Sequence, residues 1–597
     1  MAQRLDGYAP IRDYGALGDG RTVALVARDG AVDWLPLPDL DSPTVFAAIL
    51  DDERGGRFAL GPELPFTVSR RYLAGTNVLE TTFVTDGGAV RVTDALTLPD
   101  NGLTPLRELQ RRIDGLSGRV SMRWRLEPRF GYAGWPFRLA SRRGIPVATA
   151  GSDALALQSF AAGEPVITDR SIEGRFEAAE GSSALLAVSF AHQEPLVFPT
   201  RGELAARLDA TCVSWRRWAD DLVYEGPWRE SVIRSALALK LLVYAPSGAI
   251  AAAATAALPE ELGGERNWDY RYSWIRDSAF AIDALLQLGC SDEAHAYFWW
   301  LMQATQLTQP RLHLLYRLDG GTRVREHELP LAGYRQSRPV NIGNGAAEQL
   351  QLDTYGELLH AAWLYARDGN PFDRDIGRRF AGIAGLVCAT WRQPDAGIWE
   401  VRSKPAHFTQ SKMLCAVALD RALLLAERGA LPDKHANRWR VEAAAIRDFV
   451  ETRCWSDDKH SYVRSAGDDE LDASLLLAIL HGYSGAHDER MRATIAAIER
   501  ELADGPYVRR YRGDDGLSGS EGAFLACSFW LAEALARTGR TDAAGALMEQ
   551  LIDTANDVGL YSEEIDPHTG EFLGNIPQGL SHLALISAAS AIAEATQ

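Results

Sequence analysis

The chain has 597 residues, 46% hydrophobic and 24% charged, a composition typical of water-soluble globular proteins. That length exceeds one ordinary hydrophobic core, so two or more domains are expected. Its 80 acidic against 62 basic residues give a formal charge of −18. This argues against a nucleic-acid partner, which needs clustered positive charge, and no apolar run of about 18 residues predicts a membrane span.

The first 220 or so residues read as short strands. Apolar stretches at 22–27 and 31–37 flank the turn Arg28-Asp29-Gly30, and stretches at 78–84 and 89–96 flank a turn at 85–88. Both are hairpin signals. Segments 120–126 and 184–190 alternate in the same way. An antiparallel β-sandwich is expected over 1–220. A linker with the first helix follows over 221–260, and a helical domain over 228–597.

From about Trp228 the apolar spacing becomes helical. Twelve helices are predicted, starting near Glu230, Asp277, Asp292, Gly345, Asp373, Thr409, Asp433, Glu470, Glu489, Glu521, Asp542 and Gln578. Twelve helices in pairs suit an (α/α)6 barrel, with an inner ring buried all round and an outer ring that is amphipathic. Long loops rich in Gly, Trp, Tyr, Arg and Glu interrupt them at 262–274, 316–344, 395–408, 507–520 and 560–577. Such loops on a rigid scaffold are where sites are built.

Residues 266–277 hold four aromatics (Trp268, Tyr270, Tyr272, Trp274), three arginines (Arg266, Arg271, Arg276) and two aspartates (Asp269, Asp277). Aromatic rings stack on the C–H faces of sugars, while Arg and Asp bond the hydroxyls. Asp277 also stands at a predicted helix start. Trp399-Glu400 sets a carboxyl beside an indole, which raises its pKa and suits a general acid. Ser562-Glu563-Glu564 places two acids in a segment that re-enters the domain through Gly574-Asn575-Ile576-Pro577. Arg509, Arg510 and Arg512 supply forks for sugar hydroxyls, and Glu521 reads as an N-terminal helix acid. His407 and His582 read as structural, hydrogen-bonded histidines. The six cysteines (212, 290, 388, 415, 454 and 527) are scattered, with no CxxC pair. They suit buried thiols in a reducing compartment, so a cytoplasmic location is expected. Walker A, HExxH and GxSxG motifs are absent, and the Gly15–Gly20 cluster has no βαβ unit after it.

These motifs, in this order, resemble glycoside hydrolase family 15, the family of glucoamylases, glucodextranases and bacterial trehalases. The resemblance runs through Gly18-Asp19-Gly20, Asp33-Trp34-Leu35, Asp41-Ser42-Pro43, and residues 266–277, 349–356, 397–402, 522–531 and 559–585. It implies a β-sandwich followed by an (α/α)6 barrel and an inverting hydrolysis that releases β-glucose from a small α-linked glucose saccharide. Glu400 would be the general acid and Glu563 the base. Arg276 and Asp277 would grip the terminal glucose, with Trp274, Tyr270, Trp399 and Glu564 around it. A further sugar-holding arginine matches Arg510 or, with an alignment gap, Arg512. Trehalose is the expected substrate, with malto- or isomalto-oligosaccharides as the alternative, and a disaccharide phosphorylase or a non-catalytic sugar-binding protein as remoter ones. No metal or organic cofactor is expected, and a homo-oligomer is compatible with the sequence.

Overall fold

The structure is a computed structural model that describes residues 4–99, 107–513, 515–517, 519 and 521–596. Three residues of the loop predicted at 507–520 (514, 518 and 520) thus lie outside the described residues. The N-terminal part is antiparallel and all β. Its centre is one 20-residue strand, Arg107–Leu126, which serves two sheets. The first half of that strand lies between Gly88–Leu96 and Ser183–His192, and the second half between Phe58–Pro62 and Ile172–Ala179.

The change of sheet falls at Gly115 and Gly118. Gly118 has φ +59°, and a Cβ there would stand 2.2 Å from the Gly87 carbonyl oxygen. Only glycine fits such a close, left-handed corner. Beyond it the strand alternates, with Val120, Met122, Trp124 and Leu126 buried and the residues between them exposed. This is the alternation that the sequence displays at 120–126. Both predicted hairpins form, as Val23–Ala27 with Val32–Pro36 and as Leu79–Thr85 with Gly88–Leu96.

The strands end at His192, and α1 (Arg201–Asp220) follows. The expectation of strands up to 220 is therefore corrected. Leu204, Leu208, Thr211, Trp215 and Ala219 are buried at helical spacing, and Thr200 and Glu203 form a capping box. Long charged side chains between these apolar positions hide the period.

Twelve further helices form the second part: α2 (Arg229–Leu242), α3 (Ser278–Gln287), α4 (Ser291–Gln306), α5 (Asp353–Arg367), α6 (Arg374–Thr390), α7 (Thr409–Glu427), α8 (Ala436–Arg453), α9 (Leu477–Leu480), α10 (Glu489–Glu501), α11 (Leu525–Arg537), α12 (Thr541–Ile552) and α13 (Gly579–Thr596). The odd-numbered helices α3 to α13 pack in sequence, and α13 returns to α3, closing an inner ring. The even-numbered helices form the outer layer. The burial of inner α11 and α13 on nearly every face fits their runs of Ala and Leu, whereas outer α10 and α12 bury one stripe. This is the expected (α/α)6 barrel. Helix α9 is the exception in length, a single turn extended by the 3-10 turn Ala473–Leu476.

Each loop that leads into an inner helix opens on the same end of the ring, because the inner helices run parallel. The sandwich braces this end. Trp34 Nε1 donates to the Ala254 carbonyl (2.9 Å), and Arg271 Nη1 donates to the Ser42 carbonyl (2.7 Å). Arg271 is in turn held by both oxygens of Asp269, at 2.9 and 2.8 Å. The 33–35 and 41–43 motifs are thereby explained. They are contacts that fix the 266–277 loop.

Candidate active site

A narrow cavity opens at this end, lined among others by Glu260, Trp268, Tyr270, Trp399, Glu400, Arg402, Arg510 and Glu521. Its side chains come from the loops before α3, α5, α7 and α11, so the ring geometry assembles a site from residues as far apart as Glu260 and Glu521.

Glu400 follows Trp399 in the loop before α7. It has φ +51°, a left-handed conformation that is costly outside glycine, and its side chain is 15% exposed. Arg276 Nη1 donates to its Oε1 (2.8 Å) and to the Ile398 carbonyl (3.0 Å), while Gln351 Nε2 donates to the same Oε1 at 3.4 Å. Burial raises the Glu400 pKa, and the Arg276 charge opposes that rise without overcoming it. Trp399 is wedged against Phe524 and Trp530, and its Nε1 donates to Asp472 (2.9 Å). The ring that confines the carboxyl is itself held in place.

Arg276 Nε donates to Asp277 Oδ1 at 3.0 Å. Asp277 stands at the N-cap of α3, but its side chain makes no capping bond, so its carboxylate serves Arg276. Trp274 is 1% exposed and lies beneath Arg276 and Tyr270, at 4.8 and 5.8 Å. It is not among the residues that line the cavity. It supports the two residues above it.

Glu563 lies between α12 and α13 and is 1% exposed. Its Oε2 accepts the Asn575 N–H (3.2 Å), and its own N–H donates to the Asn575 carbonyl (3.1 Å). Asn575 Nδ2 also donates to the Trp268 carbonyl (3.0 Å), tying this loop to the 266–277 loop. Gly574, at φ +68°, makes room, since a Cβ there would be 2.4 Å from Glu563 Oε2. Glu563 Oε1 is buried with no hydrogen bond completed among the described residues. The Tyr270 hydroxyl faces the carboxyl and favours its ionised form, but burial pushes its pKa up to about 7.

Glu564 sits in a short strand opposite Phe524 and is fully buried. Its Oε2 accepts the Gly522 N–H (2.8 Å), and its Oε1 pairs with Arg510 Nη2 (3.0 Å). Burial, with Glu521 and Glu563 nearby, raises its pKa to about 8. Arg510 also bonds Glu521 through Nε and Glu260 through Nη2, both at 2.9 Å. Arg512 is exposed and donates to the Glu501 carbonyl (2.7 Å). Of the two arginines left open by the sequence, Arg510 is the one on the cavity.

The helix-start reading of Glu521 is corrected as well. Helix α11 begins at Leu525, with Phe524 at its cap, and the Glu521 carboxylate pairs with Arg266, Arg510 and Tyr511 instead. His582 is structural as read, accepting from Tyr561 N–H and meeting Ser235 Oγ at 3.0 Å. Burial drops its pKa to about 3. His407 packs on Phe449, but its Nδ1 has no hydrogen bond among the described residues, a departure from the expected bonding. Among the described residues, no cluster of His, Cys, Asp or Glu is arranged to hold a metal ion.

Sequence reasoning missed Glu260, Gln351, Asp472 and the Arg266–Asp515 pair (2.6 Å). Glu260 carried one signal, an acid placed just after Pro259 and six residues ahead of the aromatic-rich motif.

The model of the family described as "Glycosyl hydrolases family 15" matches residues 226–590. This chain belongs to that family, and it is a glycoside hydrolase. A second model, "Trehalase-like, N-terminal", matches residues 6–180. A trehalase of Mycolicibacterium smegmatis is 40% identical over 97% of this chain and 91% of its own. One from Thermoplasma acidophilum is 38% identical over 96% of this chain and 98% of its own. Among solved structures, a bacterial glucoamylase complexed with acarbose superposes with a TM-score of 0.72 at 13% identity, covering 98% of this chain and 94% of that one. At that identity the likeness speaks for the fold.

Proposed function

We propose that this family 15 hydrolase is an inverting trehalase acting in the cytoplasm. The observation that carries the reaction is the unlike setting of two glutamates, Glu400 on the cavity and Glu563 behind its Tyr270 wall. Glu400 is held on Arg276, and Glu563 has an oxygen left without a bonded partner. The full-length relatives named trehalase support the choice of substrate. Six unpaired cysteines, five of them buried, support a reducing compartment.

In this reading Glu400 gives its proton to the glycosidic oxygen as the C–O bond breaks. A water attacks the anomeric carbon from the opposite face and passes a proton to Glu563. The two carboxyls of an inverting pair stand about 6.5–9.5 Å apart to admit that water. Arg276, Asp277 and Arg510 hold the glucose being transferred.

The test is proton NMR of the first glucose released from trehalose, maltose and isomaltose without added phosphate. Inverting hydrolysis of trehalose yields α- and β-glucose in equal amounts at the earliest times, since the departing glucose keeps its configuration. Only α-glucose would overturn the inverting assignment. Preference for maltose or isomaltose would overturn the substrate, and a requirement for phosphate would replace hydrolysis by phosphorolysis.

A further inference from the structure

Glu260 has no part in the mechanism above, yet it lines the same cavity. It follows the strand Ala256–Pro259, which pairs with Asn267–Asp269, and its N–H donates to the Arg266 carbonyl (3.1 Å). The backbone is thus pinned to the loop that carries Trp268, Tyr270 and Arg276. The side chain is 1% exposed, and its Oε2 accepts from Arg510 Nη2 at 2.9 Å. Its Oε1 is buried with no hydrogen bond among the described residues.

A carboxylate oxygen stripped of water and given no donor is unfavourable, and such a group calls for a missing partner. Nearby protein donors are committed elsewhere. Arg510 spends Nε on Glu521 and Nη2 on Glu260 and Glu564. Arg266 is committed to Asp515 and Glu521, and the Tyr511 hydroxyl donates to the same two acids. The contacts of Arg510 leave its Nη1 as a donor beside the Glu260 acceptor.

We propose that Glu260 is a substrate-binding residue whose Oε1 accepts a hydrogen bond from a glucose hydroxyl, while its Oε2 sets Arg510 so that Nη1 donates to the neighbouring hydroxyl oxygen of the same sugar. An acceptor and a donor side by side read two adjacent hydroxyls, one giving and one receiving. The pair therefore selects a sugar by the presence of both hydroxyls on adjoining carbons. This rests on the reading of the site as one that hydrolyses an α-linked glucose disaccharide.

The experiment is a cycle of protein and substrate changes. kcat/KM is measured for trehalose and for its 2-, 3-, 4- and 6-monodeoxy derivatives, with the unaltered enzyme, Glu260→Ala and Glu260→Gln. The unaltered enzyme is expected to lose about 10- to 100-fold on the analogue that lacks the donating hydroxyl, the size of a hydrogen bond to a charged group. Glu260→Ala is expected to lose at least that factor on trehalose and clearly less on that analogue, because the two changes remove one contact in common. Glu260→Gln keeps an acceptor oxygen and is expected to recover part of the loss.

If Glu260→Ala slows every substrate by the same factor and preserves their ranking, the proposal is overturned, and Glu260 only braces Arg510 or binds a water. Should Glu260→Ala fail to fold, glucose and monodeoxyglucose binding to Glu260→Gln by calorimetry gives the same comparison. If the unaltered enzyme leaves trehalose intact and cleaves maltose, the trehalase reading fails alone, and the series is run with monodeoxy maltoses.

Discussion

The two walls of the cavity carry charge in opposite ways. On one, Arg276 serves Glu400 and Asp277, each within 3.0 Å. On the other, Arg510 serves Glu260, Glu521 and Glu564, with Glu563 alongside. Burial raises the pKa of Glu400, Glu260, Glu563 and Glu564 alike, but the second wall crowds four acids about Arg510 where the first sets two on Arg276. Protons must be shared there, and like charge decides which acid is ionised first. A hydrolase needing one carboxyl protonated and another ionised can obtain the difference from crowding as well as from burial.

The strongest way to break this comparison is to neutralise each catalytic candidate. Glu400→Gln and Glu563→Gln are each expected to lower kcat/KM on trehalose by about 10²- to 10⁴-fold with the fold intact by circular dichroism. Near-full activity in Glu563→Gln, with loss in Glu564→Gln, would move the base by one residue. The next effect is on stability. Arg510→Met removes the guanidinium shared by the buried Glu260 and Glu564 and by Glu521, so a loss of about 3–5 kcal/mol is expected. Arg276→Met is expected to cost less, because Glu400 and Asp277 keep more contact with solvent. Thermal unfolding of the two variants tests this, and equal losses would mean that the walls do not differ.

A subtler change concerns pH. The acidic limb of kcat/KM follows ionisation of Glu563 in the free enzyme, near pH 7. A pH profile of kcat/KM on trehalose checks this, and an acidic limb near the ordinary carboxyl range of about 4 would mean that the base is not a buried glutamate. The smallest effect belongs to Arg512→Ala. The residue is exposed and bonds only the Glu501 carbonyl, so activity is expected to stay within about two-fold, as for ordinary surface substitutions.

What the sequence disclosed follows from the range of the forces involved. Helix starts near Glu230, Thr409 and Glu489 were legible because apolar spacing is local, helped at the last by the Asp488 cap. The segments at 397–402 and 559–577, proposed as catalytic, were legible because long aromatic- and acid-rich loops between helices are unusual. Glu260 was not, since its role depends on Arg510, 250 residues away. Glu521 was misread for the same reason. An acid four residues before an apolar helix looks like a helix-start residue until a distant arginine is brought beside it.

The ring closes through α13, which packs against α2, α3 and α11, and the Glu563 loop immediately precedes it. These elements are translated after every other part of the barrel. A nascent chain therefore carries Glu260, Arg276, Glu400 and Arg510 well before it carries the base. Until α13 is made, the inner ring has a gap where its own first and last helices should meet, and the buried acids around Arg510 lack part of their cover. On the proposed assignment, catalytic competence and barrel closure arrive together, and a chain stalled or truncated before α13 is an inactive one with an open flank that chaperones and proteases can recognise.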